Sequence, residues 1–272
     1  MADTQTDKTT DGAGENRGIS VLHNGISVLL SFSADEPLLG VTEIAARVGL
    51  HKSTVSRILA TLELDGLVER DPETRRFRLG LGVIAMAGPL LADLDVRRVA
   101  HPVLRELSRR TGETAALMLW NGSEAVCVEQ VPSHHEVKHT TPLGTRYTTA
   151  ASSSVQVFLA QLPAPAARSL LTGGALVLPG TDDAALDAYL ARLDEVRERG
   201  YAANYGETSL QEVGVAAPVF DHRGDVAATV LVSAPRFRVS PDQLPILGEA
   251  AREAADQVTR RLGGHRPGQD TD

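Results

Sequence analysis

The chain is short of several things, and each shortage excludes a class of protein. It has one cysteine, Cys127, in 272 residues. No internal disulfide can form, and a reducing cytoplasm is the expected compartment. No apolar run approaches the ~18–20 residues of a membrane span, and the first residues lack the basic-then-apolar order of a secretion signal. No membrane partner is expected. The formal net charge is −8, which argues against a basic coat over the whole surface. Paired zinc-ligand motifs are absent, so Cys127 near His134, His135 and His139 reads as a small core residue rather than a metal ligand. Ser152-Ser153-Ser154 has no Gly-x-Ser-x-Gly elbow around it. Neither a cofactor nor catalysis is expected, and no internal repeat is visible.

What is present concentrates between Val41 and Leu62. Val41, Ile44, Ala45 and Val48 repeat at i, i+3, i+4, i+7, and so do Val55, Ile58, Leu59 and Leu62. That is the buried face of a helix, written twice. Gly49-Leu50-His51 between them is long enough only for a tight turn, and Gly49 falls where a helix ends in a left-handed residue. The pattern predicts a helix-turn-helix whose second helix enters a DNA major groove.

The polar face of that second helix suits the task. Lys52, Ser53, Thr54, Ser56, Arg57, Ala60 and Thr61 lie off the apolar stripe. Cations, hydroxyls and helix N-terminal amides hold phosphates, while small polar side chains reach base edges. A helical hairpin with a solvated face would share the apolar spacing alone. Leu67–Arg70 and Arg75–Leu79, joined by Asp71-Pro72-Glu73-Thr74, read as a strand–turn–strand wing, with Arg75 and Arg76 placed for DNA backbone or minor groove. Residues 40–80 hold seven Lys/Arg and six Asp/Glu, so this segment is slightly basic while the remainder carries the acidity. A preceding helix over Ile19–Phe32 is expected despite Asn24-Gly25, because the two apolar stripes need a third helix to cover them.

Beyond the wing, Leu81–Leu94 reads as a connecting helix, with Gly88-Pro89 as a candidate interruption, and Asp95–Arg110 as a second. Strands are expected over Thr114–Trp120, Ala125–Val131, Glu136–Thr141, Val213–Phe220 and Val226–Val232. Asn121-Gly122 is a hairpin turn between the first two. Helices are expected over Val155–Leu162, Pro165–Leu171, Asp183–Arg199 and Pro241–Leu262. Helices around an antiparallel sheet give an α+β domain.

Residues 19–262 resemble the IclR family of bacterial transcriptional regulators. Three stretches carry the resemblance: Phe77-Arg78-Leu79-Gly80-Leu81-Gly82, Thr141-Pro142-Leu143-Gly144-Thr145-Arg146 before a Ser-rich helix start, and Gly200-Tyr201 through Val215–Asp221 to Leu231–Pro235. The resemblance implies an α/β multidomain protein, an N-terminal winged helix-turn-helix joined by a linker helix to a C-terminal α+β GAF-like effector domain. The corresponding divisions are a polar, disordered tail over 1–17, the winged helix over 18–80, the linker over 81–94, the effector and oligomerisation domain over 95–262, and a second disordered tail over 263–272.

It also implies function. Members sense small metabolites, often carboxylates or aromatic acids, and are usually repressors. The expected partners are pseudo-palindromic double-stranded operator DNA, a small effector, and a second copy of the chain, with effector domains able to pair dimers into tetramers. By resemblance the amides of Ser153 and Ser154 face the ligand, and free N–H groups at a helix start suit an anion or carbonyl oxygen. A plain Ser N-cap is the alternative. His139, Tyr147, Asn204, Gly214 and Ser233 are carried over as further pocket positions. Asn204 stands where some members have an acid, and Gly214 is smaller than the usual residue. An activator of the same family, or an architectural DNA-binding protein without a ligand, are the alternatives to a ligand-controlled repressor.

Overall fold

The computed structural model describes residues 12–267 apart from 34, 94, 179 and 181, with side chains of 12–20 and 89–95 left aside. The expected tails over 1–17 and 263–272 therefore lie outside the described residues at 1–11 and 268–272. The chain divides into two units, 1–93 and 94–272.

The first unit opens with α1 (Gly12–Leu30), which begins ahead of the position-18 boundary and runs through Asn24-Gly25 unbroken. A Cβ at Gly25 would meet nothing within 4 Å, so no packing contact demands glycine there. α2 (Val41–Val48) and α3 (Lys52–Leu64) follow, then β1 (Val68–Arg70) and β2 (Phe77–Leu79). Each wing strand is shorter than its sequence pattern suggested. Val28, Phe32, Leu39, Ile44, Ala45, Val55, Leu59, Val68 and Phe77 form one buried core. Each helix and the wing thus contributes apolar side chains, and none of them could bury its stripe alone. Leu39 exchanges two backbone hydrogen bonds with Phe77, 2.9 and 2.8 Å, which seats the wing against the approach to α2.

Gly80 explains part of the Phe77–Gly82 stretch. A Cβ there would stand 2.3 Å from the Gly66 carbonyl oxygen, so only glycine permits the backbone to pass. α4 (Gly82–Asp93) then continues through Gly88-Pro89 without the interruption that pair suggested.

The second unit is a six-stranded antiparallel sheet. α5 (Asp95–Thr111) leads into β3 (Thr114–Trp120) and β4 (Ala125–Val131), and β5 (Arg146–Tyr147) adds a short edge. α6 (Ser153–Gln161), α7 (Ala164–Thr172) and α8 (Asp183–Arg199) come next, followed by β6 (Ala202–Tyr205), β7 (Glu212–Phe220), β8 (Val226–Pro235) and α9 (Leu244–Arg261). The strand order is β5-β4-β3-β8-β7-β6. α5 and α9 cover one face with Ala100, Val103, Leu104, Leu107, Ala251 and Val258. α6 and α8 cover the other with Val155, Leu159, Leu186, Leu193 and Val196. Every residue of α6 from Ser153 to Ala160 is buried. Among the described residues no helix is long and apolar enough to cross a membrane.

One expected strand is absent. Residues 136–141 form no strand. Their backbone is claimed elsewhere: the Thr114 hydroxyl donates to the His139 carbonyl at 2.6 Å, and the Thr141 amide donates to the Gln130 side chain. Side-chain partners have replaced a ladder, and the segment crosses the sheet end as a loop.

Candidate DNA interface and candidate effector site

The turn of the first unit is built as its sequence requires. Gly49 adopts φ 67°, and its amide donates to the Ala45 carbonyl, closing α2 in the left-handed conformation that glycine takes at least cost. His51 caps α3, a role sequence reasoning missed. Its Nδ1 lies 2.9 Å from the Ser53 hydroxyl and accepts weakly, at 3.5 Å, from the Ser53 amide. A polar residue immediately before the first helical position was the available signal.

Val55 and Leu59 are fully buried, while Lys52, Ser53, Thr54, Ser56, Arg57, Ala60 and Thr61 are all exposed. The residues assigned to DNA therefore share one uncovered surface. Among the described residues neither Lys52 nor Arg57 has a carboxylate partner. Other cations of this unit do: Arg47 pairs with Glu36 at 2.5 Å, Arg76 with Glu43, and Arg78 with Glu69 across the wing. Arg70 lies over the Phe77 ring, 4.6 Å from its centroid.

The two wing arginines differ. Arg75 is exposed and holds φ 61°, the left-handed region. Arg76 folds back on Glu43 of α2, bonding both carboxylate oxygens. Glu43 also accepts from the Gly40 amide at 2.7 Å. That bond first, and Arg76 second, hold its carboxyl below the usual range. Arg76 thus ties the wing to the start of α2, and Arg75 is the wing cation left facing solvent.

The residues expected to face an effector come from separate parts of the second unit. Pairing register sets Asn204 opposite Gly214, Gly214 opposite Ser233, and Ser233 opposite Thr114. Directly paired residues point to the same side of a sheet, so these four cross one face in a row. Glu212, two residues before Gly214, shares that face. The Ser153 hydroxyl comes close over Gly214, where a Cβ would stand 3.1 Å from it. From the loop before β5, His139 Nε2 reaches within 3.4 Å of Glu212 Oε1, and the Thr141 hydroxyl lies 3.4 Å from that of Ser233. Tyr147 borders the same group: burial first, then the Glu212 carboxylate, push its phenol up to about 12, against a lowering hydrogen bond from Thr141.

The structure therefore brings His139, Tyr147, Ser153, Gly214 and Ser233 together and adds Thr141 and Glu212. Asn204 is committed locally. Its Oδ1 accepts from the Glu207 amide at 2.8 Å and the Thr208 amide at 3.3 Å, and its Nδ2 donates to the Thr208 hydroxyl. Asn204 holds the turn after β6. Ser154 is the reverse case: fully buried, with a hydroxyl that has no hydrogen-bond partner among the described residues. Gln156 Oε1, on the same helix, is likewise buried and unpartnered. Unsatisfied buried polar atoms are costly and mark places where a further group can bind.

A cavity of about 520 Å³ opens beside His139, lined also by Val137, Lys138, Tyr205, Leu210 and Phe237. Cys127 is buried, its Sγ 3.1 Å from the Thr141 carbonyl, and burial pushes the thiol up to about 12. Among the described residues no group of three or more His, Cys, Asp and Glu side chains is placed to hold a metal.

Comparison with known proteins agrees along nearly the whole chain. Residues 21–72 match the family model of the IclR helix-turn-helix domain, and residues 89–260 that of the bacterial transcriptional regulator IclR C-terminal domain. The HTH-type transcriptional regulator KipR of Bacillus subtilis is 31% identical over 240 residues, covering 86% of this chain and 94% of that one. The HTH-type transcriptional repressor AllR of Klebsiella pneumoniae is 30% identical over 249 residues, 91% of each. Among solved structures, an IclR homolog from Microbacterium hydrocarbonoxydans complexed with 4-hydroxybenzoate superposes with a TM-score of 0.74 at 26% identity, covering 89% of this chain and 98% of that one.

Proposed function

The chain belongs to the IclR family of transcriptional regulators, and we propose that it is a cytoplasmic repressor whose operator affinity is set by a small carboxylate or carbonyl metabolite bound in the second unit. The observation that carries the DNA half is the uncovered face of α3, where Lys52 and Arg57 stand exposed among four hydroxyl residues, with no carboxylate partner among the described residues. Buried or paired cations would serve the fold, whereas exposed unpaired ones on a helix placed to enter a groove serve phosphate and bases. Arg57 is the base reader, Lys52 the phosphate contact and Arg75 the wing contact. AllR, named a repressor, supports the sign of regulation.

The effector half rests on His139, Tyr147, Ser153, Ser154, Gly214 and Ser233, with 4-hydroxybenzoate bound to the solved homolog as the supporting parallel. The operator is pseudo-palindromic and the working form a dimer or pair of dimers, because one winged helix contacts too few base pairs for genomic specificity. α1 supports self-association: Leu22, Ile26 and Leu30, four residues apart, are 68%, 47% and 61% exposed in one stripe.

Sequencing genomic fragments retained by the purified protein tests the reading. The expected result is a few discrete sites with two half-sites about one or more helical turns apart, released by a metabolite of the neighbouring genes. Uniform retention of all fragments would contradict it.

A further inference from the structure

Glu212 puts a carboxylate in the effector site where no sequence motif marked a charge. The residue is 6% exposed, and His139 Nε2 lies 3.4 Å from its Oε1. A Cβ on Gly214 would stand 3.9 Å from Glu212 Oε1 and 3.1 Å from Ser153 Oγ. The carboxylate thus shares with the Ser153 hydroxyl the space over the bare backbone of Gly214. No Lys or Arg pairs with Glu212 among the described residues. Arg146 and Arg238 are taken by Glu124 and Glu113, at 2.6 and 2.5 Å. The site therefore offers one fixed carboxylate acceptor and, from the start of α6, the Ser153 hydroxyl beside it. A second carboxylate entering it would meet like charge in a dry environment, which strongly disfavours ionisation of one of the two. A donor group would instead satisfy acceptor capacity that His139 leaves open.

We infer that Glu212 sets the ligand class: the site takes an uncharged carbonyl compound with an N–H or O–H donor beside the carbonyl, such as an amide, ureide or hydroxy-carbonyl, and rejects the matching carboxylate. The donor bonds Glu212, and the carbonyl oxygen accepts from the Ser153 hydroxyl. This rests on the reading of the cluster as the effector site and narrows the ligand from carboxylate or carbonyl to the second of these.

The test is thermal unfolding of the full chain with three matched pairs at millimolar concentration: benzoate and benzamide, pyruvate and pyruvamide, lactate and lactamide. In the wild type an amide should bind about ten-fold or more tightly than its acid, since a site built to pair one group rejects the analogue that leaves it unpaired. Glu212→Gln presents an N–H where a charge stood and should erase or reverse the preference. Equal or tighter binding of the acids by the wild type would overturn the inference and leave the effector site standing. A preference unchanged in Glu212→Gln would move its origin to another residue and equally overturn it. No response to any compound, in either protein, would count against the effector site itself. Should Glu212→Gln fail to fold, the wild-type ratio decides alone.

Discussion

The exposed face of α3 and the polar cluster around Glu212 are opposite solutions to holding polar groups in a folded chain. On α3, Lys52, Arg57 and the hydroxyl residues stand in solvent, and among the described residues neither cation has a carboxylate partner. In the second unit, Ser153, Ser154, Ser233 and Glu212 are at most 6% exposed, and neighbours meet only part of their capacity: His139 faces Glu212 at 3.4 Å, while the Ser154 hydroxyl has no partner among the described residues. A surface that must meet any stretch of DNA before finding its own gains from being open and cationic. A pocket that must tell one metabolite from another gains from donors and acceptors fixed in place, because a mismatched group then leaves a buried partner unsatisfied. The difference sets what mutations should do. Changes on α3 should alter binding without altering the fold, while changes in the cluster should alter both.

The largest effect should come from breaking the support beneath the exposed face. Leu59 is fully buried between α3 and the rest of its core. Leu59→Ala should cost about 2–5 kcal/mol, abolish operator binding and lower only the melting transition of the first unit. Calorimetry with two resolved transitions checks this, and a joint shift of both would show that the units do not unfold separately. Next in size is Arg57→Ala, which should cost about 1–3 kcal/mol of operator binding with an unchanged circular dichroism spectrum.

The wing sharpens the comparison on a smaller scale. Arg75→Ala should weaken binding about equally across sequences and reduce the salt slope by roughly 1. Arg76→Ala should instead loosen the wing from Glu43, with a small fall in melting temperature. If Arg76→Ala matched Arg75→Ala in salt slope without any thermal change, Arg76 would be a DNA contact that leaves Glu43 on binding.

The smallest effect concerns pH. Burial raises the Glu212 carboxyl above its ordinary 4.5, against a lowering by the facing His139. Tyr147, its other titratable neighbour, stays neutral, with a phenol at about 12. The folded state therefore holds the Glu212 proton more tightly than the unfolded chain. The resulting stabilisation is complete below 4.5 and lost as pH rises through the higher folded value. Relative to Glu212→Gln, the wild type should lose stability as pH rises through that window. A difference that grows in the opposite direction would mean that His139 holds Glu212 ionised.

The helix-turn-helix was legible because its evidence is local. Two stripes and one glycine lie within 22 residues of sequence, and the spacing marks the side chains that face the core: Ile44, Ala45, Val55 and Leu59 are buried, and Val41, Val48, Ile58 and Leu62 pack against them partly buried. The glycine of the wing motif also has a local cause, the close pass of Gly80 over Gly66. The polar cluster around Glu212 is assembled from a loop, a helix start and three strands, and the register that aligns Asn204, Gly214, Ser233 and Thr114 is invisible in the linear chain. Glu212 was missed although Gly214 was noted, and period-two alternation along β7 would have put both on one face. Residues 136–141 alternate like a strand, yet side chains of Thr114 and Gln130 claim their backbone. Arg76 could not be told from Arg75 without knowing that Glu43 lies across from it.

The central claim is that the α3 face reads sequence. Wild type and Arg57→Ala should be titrated against the retained operator and a set of its single-base-pair variants at one salt concentration. The account predicts that the wild type discriminates at every half-site position it contacts, and that Arg57→Ala loses discrimination at one position while keeping it at the others. Equal affinity of the two proteins for the operator and all its variants would contradict it.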